Sequence, residues 1–317
     1  MIAIESVGEI PARARGAYVT IGNFDGVHRG HARLLAELVR RARAADAPAL
    51  AVTFHPHPAV FLRPDRVPQP LVWPEREFEL LTAAGVSDVA VFQTGPWLLG
   101  LSAREFFERE VMGRFGVRGM VEGPNFFFGR DRGGDVGVLG KWCAEVGIDL
   151  HVAEPLTTDD GLMISSSRIR KALSEGEVAE ARDLLGRPHR IRGVVSRGAG
   201  RGAGIGVPTA NLEEVDVLIP ADGVYAVRAV VPGGDGAPPP PWPAACNVGP
   251  NPTFGEHARK VEAHLIGFKG DLYGKVVELD FLRRLRSTRA FAGLDDLLDQ
   301  IGRDVEEARR VHETERA

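Results

Sequence analysis

The hydrophobic pattern changes character once along the chain, and this change constrains the fold more than any other feature of the sequence. Up to residue 186, short apolar segments alternate with amphipathic segments of helical periodicity. The strand-like segments are residues 17–21, 49–54, 86–92, 118–123 and 148–154. Alternation of this kind is typical of βαβ units and predicts a parallel sheet covered by helices.

From residue 187 onward, the apolar segments are short, rich in β-branched residues and separated by turn residues. No helical pattern lies between them, so we expect an antiparallel sheet or barrel. A helical pattern at 291–311 follows the last strand. We therefore predict an α/β domain over residues 1–186 and a β-rich domain over residues 187–317 that ends in a helix. The Pro/Gly-rich segment 232–243 is expected to be an exposed loop.

Composition narrows the class of protein. A chain of 317 residues is long enough for two hydrophobic cores. The formal net charge of -4 gives no general attraction for nucleic acid, and no apolar run is long enough to span a membrane. The two cysteines, Cys143 and Cys246, are far apart and the N-terminus lacks a signal-peptide pattern, so we expect a cytoplasmic protein in a reducing compartment.

The segment "TIGNFDGVHRGHARLL", residues 20–35, predicts a site for an anionic ligand. It places His28 and His31 among glycines, at the point where a predicted strand ends and a helix begins. Ligands of parallel sheets bind at strand ends, and the N–H groups of a helix start attract phosphate. The histidines could stabilise the charge that grows during phosphoryl or nucleotidyl transfer. The alternative is a turn with two surface histidines.

Three further blocks carry polar residues in the same half: "TFHPHP" (53–58), "EGPNFFFGRDRGGD" (122–135) and "ISSSRIR" (164–170). Serines and arginines at a helix start suit a triphosphate. Each block also has a structural explanation: a rigid turn at His57, a satisfied backbone at Asn125, core packing at residues 126–128, or an N-cap at residues 165–167.

The His28–His31 motif resembles the HxGH signature of nucleotidylyltransferases. Taken in order, the four blocks resemble the N-terminal module of the prokaryotic bifunctional riboflavin kinase/FAD synthetase family, with Ser167 where Thr is usual. The resemblance implies a Rossmann-like domain that adenylylates FMN, with His28 and His31 as catalytic residues. The implied ATP and phosphate contacts are Gly22, Asn23, Phe24, Asp25, Gly26, Gly30, Ser165, Ser166 and Arg168. The implied flavin contacts are His57, Pro58, Asn125, Phe128 and Arg132.

The second half contains "RGAGRGAGIGVPTANL", residues 197–212, which matches neither the P-loop nor the dinucleotide-binding glycine pattern. Thr209 and Asn211 are oxygen donors two residues apart, and such donors suit Mg²⁺. A flexible loop is the alternative. On the later segment "VEAHLIGF", Glu262 is a candidate general base with His264 on the same face. Its alternative is a solvent-facing residue of an amphipathic strand.

The segments "GVPTANL", "PADGVYAV", "NVGPNPTF", "VEAHL" and "DLYGK" resemble the riboflavin kinase module of the same family, in the same order. This resemblance implies an antiparallel β-barrel kinase domain in which Thr209 and Asn211 bind Mg²⁺ and Glu262 is the base. The implied ATP contacts are Gly198, Gly200, Gly202, Gly206 and Pro208. The implied flavin contacts are Asn247, Arg286 and Phe291.

Four positions depart from the family pattern. Val207 replaces the usual Phe, Gly267 replaces Asp, and Thr288 and Ala290 replace Glu and Lys. The last three substitutions remove charge near the expected flavin side of the kinase site. We therefore expect them to affect flavin affinity more than catalysis.

The resemblance implies an enzyme that phosphorylates riboflavin to FMN and then adenylylates FMN to FAD. ATP would be the co-substrate and Mg²⁺ the cofactor, with no nucleic-acid or membrane partner and at most a weak homo-oligomer. One alternative is a nucleotidylyltransferase for another phosphate acceptor, such as phosphopantetheine or a pyridine mononucleotide. The other is a flavin-binding regulator without turnover.

Overall fold

The structure is a computed structural model that describes residues 2–4, 10–197, 206–231, 241–251 and 256–315. The chain divides into two compact units. The first contains Met1–Gln69 and Pro74–Ser165, and the second contains Pro70–Trp73 and Ser166–Ala317. The second unit thus includes the chain on both sides of Gly186. The limits 1–186 and 187–317 for the two functional domains stay predictions.

The first unit is built on a parallel sheet, as the alternating pattern predicts. Its strands are β1 (Ile2–Ile4), β2 (Tyr18–Ile21), β3 (Ala49–His55), β4 (Asp88–Gln93), β5 (Gly119–Glu122) and β8 (Asp149–Val152), in the spatial order β1-β4-β3-β2-β5-β8. All five neighbouring pairs are parallel. A short antiparallel hairpin, β6 (Phe127–Phe128) with β7 (Gly134–Asp135), lies after β5.

Helices connect these strands. They are α1 (Arg29–Ala44), α2 (Ala59–Leu62), α3 (Pro74–Ala83), α4 (Pro96–Leu99), α5 (Ala103–Glu105) and α6 (Val136–Val146). Apolar side chains from the two faces of the sheet form two core clusters, one that includes Val19, Ile21 and Cys143, and one that includes Tyr18, Phe24 and Leu35.

The predicted helix at 102–115 begins as expected but continues with a different geometry. The capping box of Ser102 and Glu105 is present at its start. Beyond it, Phe106–Phe115 forms a π-helix. The buried residues Phe106, Val111 and Phe115 are four or five positions apart. This spacing suits i→i+5 hydrogen bonds and turns all three side chains toward the core.

The order of the strands reverses at β2, and this reversal fixes where a ligand can bind. The chain proceeds from β2 to β3 and β4 on one side, and then to β5 and β8 on the other. In open α/β sheets, the crevice at the carboxyl end of such a switch point is the usual ligand site. The loops after β2 and β5, which carry the His28–His31 and Asn125 blocks, both start at this crevice.

The second unit contains the closed antiparallel barrel that the β-rich pattern predicts. Its strands are β9 (His189–Ser196), β10 (Ala210–Glu213), β11 (Gly223–Val230), β12 (Trp242–Asn251), β13 (Glu256–Leu265) and β14 (Val276–Arg286), in the order β10-β13-β12-β11-β14-β9. Alternate residues of β9 are buried, as expected for a strand with one face inside the barrel. The predicted loop 232–243 lies mostly outside the described residues.

The described part of the second unit also contains the helices α7 (Ser166–Glu175), α8 (Val178–Leu185) and the C-terminal α9 (Leu294–Thr314). The main chain connects α7 to the barrel unit through a 2.8 Å hydrogen bond from Ala221 N to Leu173 O. Helix α9 packs its apolar face, including Ala308 and Val311, against Ala226 and Leu282 of the barrel. No helix in the described part of the chain has the length and apolar character needed to cross a membrane.

Candidate functional site

The loop that follows β2 makes a tight turn before α1 begins. Gly26 and Val27 have φ values of 85° and 35°, and Val27 N donates to Phe24 O at 2.8 Å. Phe24 is buried beneath the turn, whereas Asn23 is exposed. The turn therefore presents its main chain, rather than the Phe24 ring, at the carboxyl end of the sheet.

His28 and His31 lie together at the N-terminus of α1, as the spacing predicts. Their rings are stacked with centroids 3.7 Å apart, and the Phe24 ring meets His31 edge-on at 5.2 Å. His28 is the N-cap residue, and its Nδ1 atom accepts a hydrogen bond from His31 N at 3.3 Å. Because Nδ1 is an acceptor, the neutral ring carries its proton on Nε2, which can donate to an anionic oxygen.

Gly30 allows this arrangement. A Cβ atom at Gly30 would lie 3.1 Å from the Cε1 and Nδ1 atoms of the His28 ring and 3.5 Å from Ile164 O. The missing side chain at Gly30 thus gives the His28 imidazole room to lie close to the first turn of α1.

The block after β5 divides its aromatic residues between the core and the surface. Phe128 is 6% exposed and packs against Phe106 and Phe126, whereas Phe127 is 43% exposed. The Arg132 guanidinium lies 4.0 Å from the Phe127 ring centroid. Phe127, which the sequence analysis did not select, is therefore the ring that this hairpin presents to solvent. The flavin contacts of Phe128 and Arg132 stay predictions.

Asn125 is exposed beside these aromatic residues, and its Nδ2 atom lies 3.6 Å from Met163 Sδ. After β3, His57 Nδ1 accepts from Ala59 N at 3.0 Å and so fixes the start of α2. Pro58 is half-buried in the same turn. The roles of all three residues as flavin contacts stay predictions.

The "ISSSRIR" block spans the division between the units. Ser165 ends the first unit, and Ser166 begins α7 in the second. Arg168 pairs with Glu180 of α8, with Nη2 to Oε1 at 3.0 Å. The predicted phosphate contacts of Ser165, Ser166 and Arg168 stay predictions.

The candidate site residues of the second unit form one row across neighbouring strands. Glu262 of β13 lies in register with Asn211 of β10 on one side and with Asn247 of β12 on the other. Ser196 of β9 continues the row beyond Asn211. Glu262 is half-buried, and burial together with the negative charge of Glu262 raises the pKa of the interior Cys246 thiol. The strand order thus brings together an acid and two amides that are far apart in sequence.

The segment that contains Thr209 is positioned by a contact with strand β13. Thr209 is exposed at the entry to β10, and the carbonyl of the preceding Pro208 accepts a hydrogen bond from His264 Nδ1 at 2.7 Å. His264 lies on β13 two residues after Glu262, on the same face. The side chain of His264 therefore ties Thr209 to the strand that carries Glu262.

The oxygen donors of Thr209 and Asn211 are compatible with Mg²⁺. Thr209 and Asn211 offer neutral oxygen atoms, and Mg²⁺ binds few protein groups because it keeps waters and phosphate oxygens. In the described part of the chain, no group of three His, Cys, Asp or Glu side chains could hold a metal ion by itself. Gly198, Gly200 and Gly202 lie outside the described residues, and Gly206 is exposed with φ 80°.

Arg286 is bound by the C-terminal helix. Its Nη2 atom lies 2.7 Å from Asp304 Oδ2, and its Nε atom lies 3.0 Å from the same oxygen. Gln300 Nε2 donates to Asp304 Oδ1 at 2.9 Å. The guanidinium also lies 5.6 Å from the Phe291 ring centroid. Arg286 and Phe291 are thus held together, with the charge of Arg286 balanced by Asp304; their flavin contacts stay predictions.

The two units match two protein families. Residues 10–168 match the FAD synthetase family, and residues 185–312 match the riboflavin kinase family. The chain is 37% identical to the bifunctional riboflavin kinase/FMN adenylyltransferase of Pseudomonas fluorescens, over 94% of this chain and 93% of that protein. It is 34% identical to the protein of the same description from Bacillus subtilis, over 92% and 91% of the two chains. The chain belongs to the bifunctional riboflavin kinase/FMN adenylyltransferase family.

The fold of this riboflavin kinase/FMN adenylyltransferase family member also matches a solved structure along its length. A crystal structure described as a macrolide-efflux protein from Streptococcus pneumoniae superposes with a TM-score of 0.84 at 30% identity. The match covers 98% of this chain and 99% of that one.

The sequence motifs did not indicate two acids of this family member that have raised pKa values, one buried and one partly buried. Glu122, the last residue of β5, accepts a 2.9 Å hydrogen bond from Ile21 N, and burial raises its pKa well above the usual range. Glu77 of α3 accepts from Thr53 Oγ1 at 2.8 Å. Burial, with a smaller contribution from Asp25, raises the pKa of Glu77 to about 7. Each was hidden because it lies in a segment that reads as an ordinary strand or helix.

Proposed function

We propose that this chain makes FAD from riboflavin in two ATP-dependent steps, one at each candidate site. The single observation that carries the proposal is that each family match contains an assembled polar site. The stacked pair His28 and His31 lies in the FAD synthetase segment. The row of Asn211, Glu262 and Asn247 lies in the riboflavin kinase segment.

In the kinase step, Glu262 would accept the proton of the ribityl 5′-hydroxyl group of riboflavin. The hydroxyl oxygen then forms a bond to the γ-phosphorus of ATP, and ADP leaves with the electrons of the broken P–O bond. Asn247, directly opposite Glu262, can fix the orientation of the carboxylate or of the flavin chain. Mg²⁺, held by Thr209 and Asn211, would neutralise the charge of the phosphate groups.

In the adenylylation step, the phosphate of FMN is already ionised and needs no base. Its oxygen attacks the α-phosphorus of a second ATP, and pyrophosphate leaves. The protein therefore acts by alignment and by stabilisation of charge. His28 can supply Nε2–H as a donor to a phosphate oxygen, and the stacked His31 ring keeps the His28 ring in place.

A time course with riboflavin, ATP and Mg²⁺, resolved into riboflavin, FMN and FAD by chromatography, tests the proposal. FMN should form first and FAD should follow. Glu262→Gln should slow riboflavin phosphorylation by about 10²- to 10⁴-fold, since the amide cannot accept the proton. His28→Ala should slow FAD formation by about 10²- to 10³-fold, the effect of losing one donor to a developing anion.

Each variant is the control for the other. Glu262→Gln should leave adenylylation of supplied FMN unchanged, and His28→Ala should leave riboflavin phosphorylation unchanged. If the protein adenylylated another phosphate acceptor but not FMN, the first site would belong to a different nucleotidylyltransferase. If flavin bound without any turnover, the protein would be a flavin-binding regulator rather than an enzyme.

A further inference from the structure

The crevice at the switch point of the first unit contains a side chain that takes the place of backbone pairing. The parallel ladder between β2 and β5 pairs Tyr18 with Gly119 and Val19 with Met120, and then stops. Continuing this register would place Ile21 opposite Glu122. Instead, Ile21 N donates to the Glu122 carboxyl group at 2.9 Å. The side chain of Glu122 thus occupies the space between the ends of the two strands.

The end of β2 is therefore held by a main-chain hydrogen bond on one side and by a side-chain hydrogen bond on the other. Toward β3, Gly22 N donates to Val52 O at 2.9 Å, which continues the sheet through main chain alone. Toward β5, the acceptor is the side-chain carboxyl group of Glu122 rather than a main-chain carbonyl group. On the far side of β5, Ala153 N donates to Glu122 O at 2.8 Å, so the backbone of Glu122 is itself fixed to the residue that follows β8.

Burying the carboxyl group of Glu122 would cost folding stability if the residue served only to fill the core. It is 1% exposed. It lies near Cys143 of α6, and together with burial it raises the pKa of the Cys143 thiol to about 11. A buried polar group costs stability unless its hydrogen bonds compensate. Burial favours the neutral form of the carboxyl group, which would add no negative charge to a crevice that accepts a triphosphate.

We propose that Glu122 is a positioning residue of the adenylyl-transfer site: its carboxyl group sets the spacing between the loop after β2 and the loop after β5. The first loop leads into His28 and His31 at the start of α1, and the second carries Asn125. This inference rests on the proposed assignment of adenylyl transfer to that crevice. ATP and FMN could each bind through one loop, whereas transfer requires both loops at the right separation.

Three substitutions test this role in the full-length protein. Glu122→Gln keeps the length and an oxygen that accepts from Ile21 N. Glu122→Val removes the acceptor, and Glu122→Asp withdraws it by one methylene group. We expect the Gln variant to keep the parent kcat for FAD formation from FMN within about threefold. The Val variant should lose about 10- to 100-fold in kcat, because a displacement near 1 Å can cost 10²-fold; the Asp variant should lie between them.

A fall in kcat without a change in KM distinguishes a positioning role from a general structural effect. The KM values for ATP and FMN should change by less than about threefold in all three variants, since each substrate keeps its own loop. Hydrogen exchange of the Ile21 amide should accelerate in the Val variant and stay slow in the Gln variant. Riboflavin phosphorylation, which occurs in the other unit, should stay at the parent rate.

Cys143→Ala is the matched control. It removes buried volume beside Glu122 but leaves the bond to Ile21 intact, so it should lower the melting temperature without lowering the kcat for FAD formation. The inference is overturned if a folded Val or Asp variant keeps the parent kcat, or if the Gln variant fails to do so. A parent protein that forms no FAD from FMN would overturn the proposed function itself, and this inference with it.

Discussion

Replacing Glu77 with glutamine should stabilise the first unit above neutral pH and leave it unchanged in acid. Glu77 is partly buried on α3 and accepts a 2.8 Å hydrogen bond from Thr53 Oγ1. Burial raises its pKa from 4.5 to about 7. A glutamine at this position can accept the same hydrogen bond but has no proton to lose, so the comparison isolates the ionisation of one carboxyl group.

The sign of the stability change follows because the folded state binds the Glu77 proton more tightly than the unfolded state does. Between pH 4.5 and about 7, folded Glu77 keeps a proton that the unfolded chain has released. The stability that this proton supplies is complete below pH 4.5 and is lost as the pH rises to about 7. At about 1.4 kcal/mol per pH unit, the loss amounts to about 3 kcal/mol. Glu77→Gln avoids it, and the gain corresponds to about 6–12 °C in melting temperature for a unit of this size.

Scanning calorimetry of both proteins between pH 4.5 and 8.5 measures this difference. Glu79→Gln is the matched control, because Glu79 lies on the same helix, is exposed and pairs with Arg76 at 2.7 Å. Its effect should stay below about 1 kcal/mol at every pH. A difference between parent and Glu77→Gln that did not grow with pH would refute the reasoning, and so would a Gln variant that melted earlier than the parent at pH 8.

Three further outcomes can be measured. Gly30→Ala should lower FAD formation by about tenfold and spare riboflavin phosphorylation, because its Cβ would lie 3.1 Å from the His28 ring. Asp304→Asn should destabilise the second unit by roughly 1.5–3 kcal/mol in urea unfolding, because it weakens the charged hydrogen bonds of a partly buried pair with Arg286. A fragment of residues 166–317 should phosphorylate riboflavin but not adenylylate FMN, and a fragment of residues 187–317 should melt at a lower temperature because it lacks the buried side chains of α7 and α8.

Controls are available for each outcome. Gly140→Ala places a Cβ atom 3.7 Å from Leu150, an ordinary contact in another helix, and should leave both activities intact. Glu307→Gln breaks an exposed pair with Arg283 and should cost less than about 1 kcal/mol. Full FAD formation by the Gly30→Ala variant, a stable Asp304→Asn variant, or equal melting of the two fragments would each contradict the corresponding prediction.

The class of each unit could be predicted from local patterns because hydrophobic periodicity and turn residues are local signals. The parallel sheet, the barrel and the final helix follow from this information. The HxGH spacing likewise brings His28 and His31 together within one helical turn. Partners that are far apart in sequence could not be predicted. Ile21 and Glu122 are 101 positions apart, and nothing near either residue indicates their hydrogen bond.

The same limit applies to the charges of the candidate sites. Arg168 and Arg286 stand out in the sequence as cations available for a ligand. In the structure, Arg168 pairs with Glu180, and Arg286 is bound by Asp304 of the last helix. A sequence motif indicates which charge is present, but not how much of that charge other side chains already balance. This balance depends on packing between helices and strands that the motif does not contain.

The segment Pro70–Trp73 makes the second unit discontinuous along the chain. Leu71 and Trp73 are 1% and 5% exposed, Pro70 O accepts from Leu218 N at 2.8 Å, and Arg192 lies over the Trp73 ring at 4.8 Å. During synthesis, these four residues leave the ribosome well before the barrel that buries them. A gene cut between the two units would also separate the kinase from part of its own core. A kinase inherited without the first unit would therefore have a less stable barrel until substitutions filled the space that Pro70–Trp73 occupies.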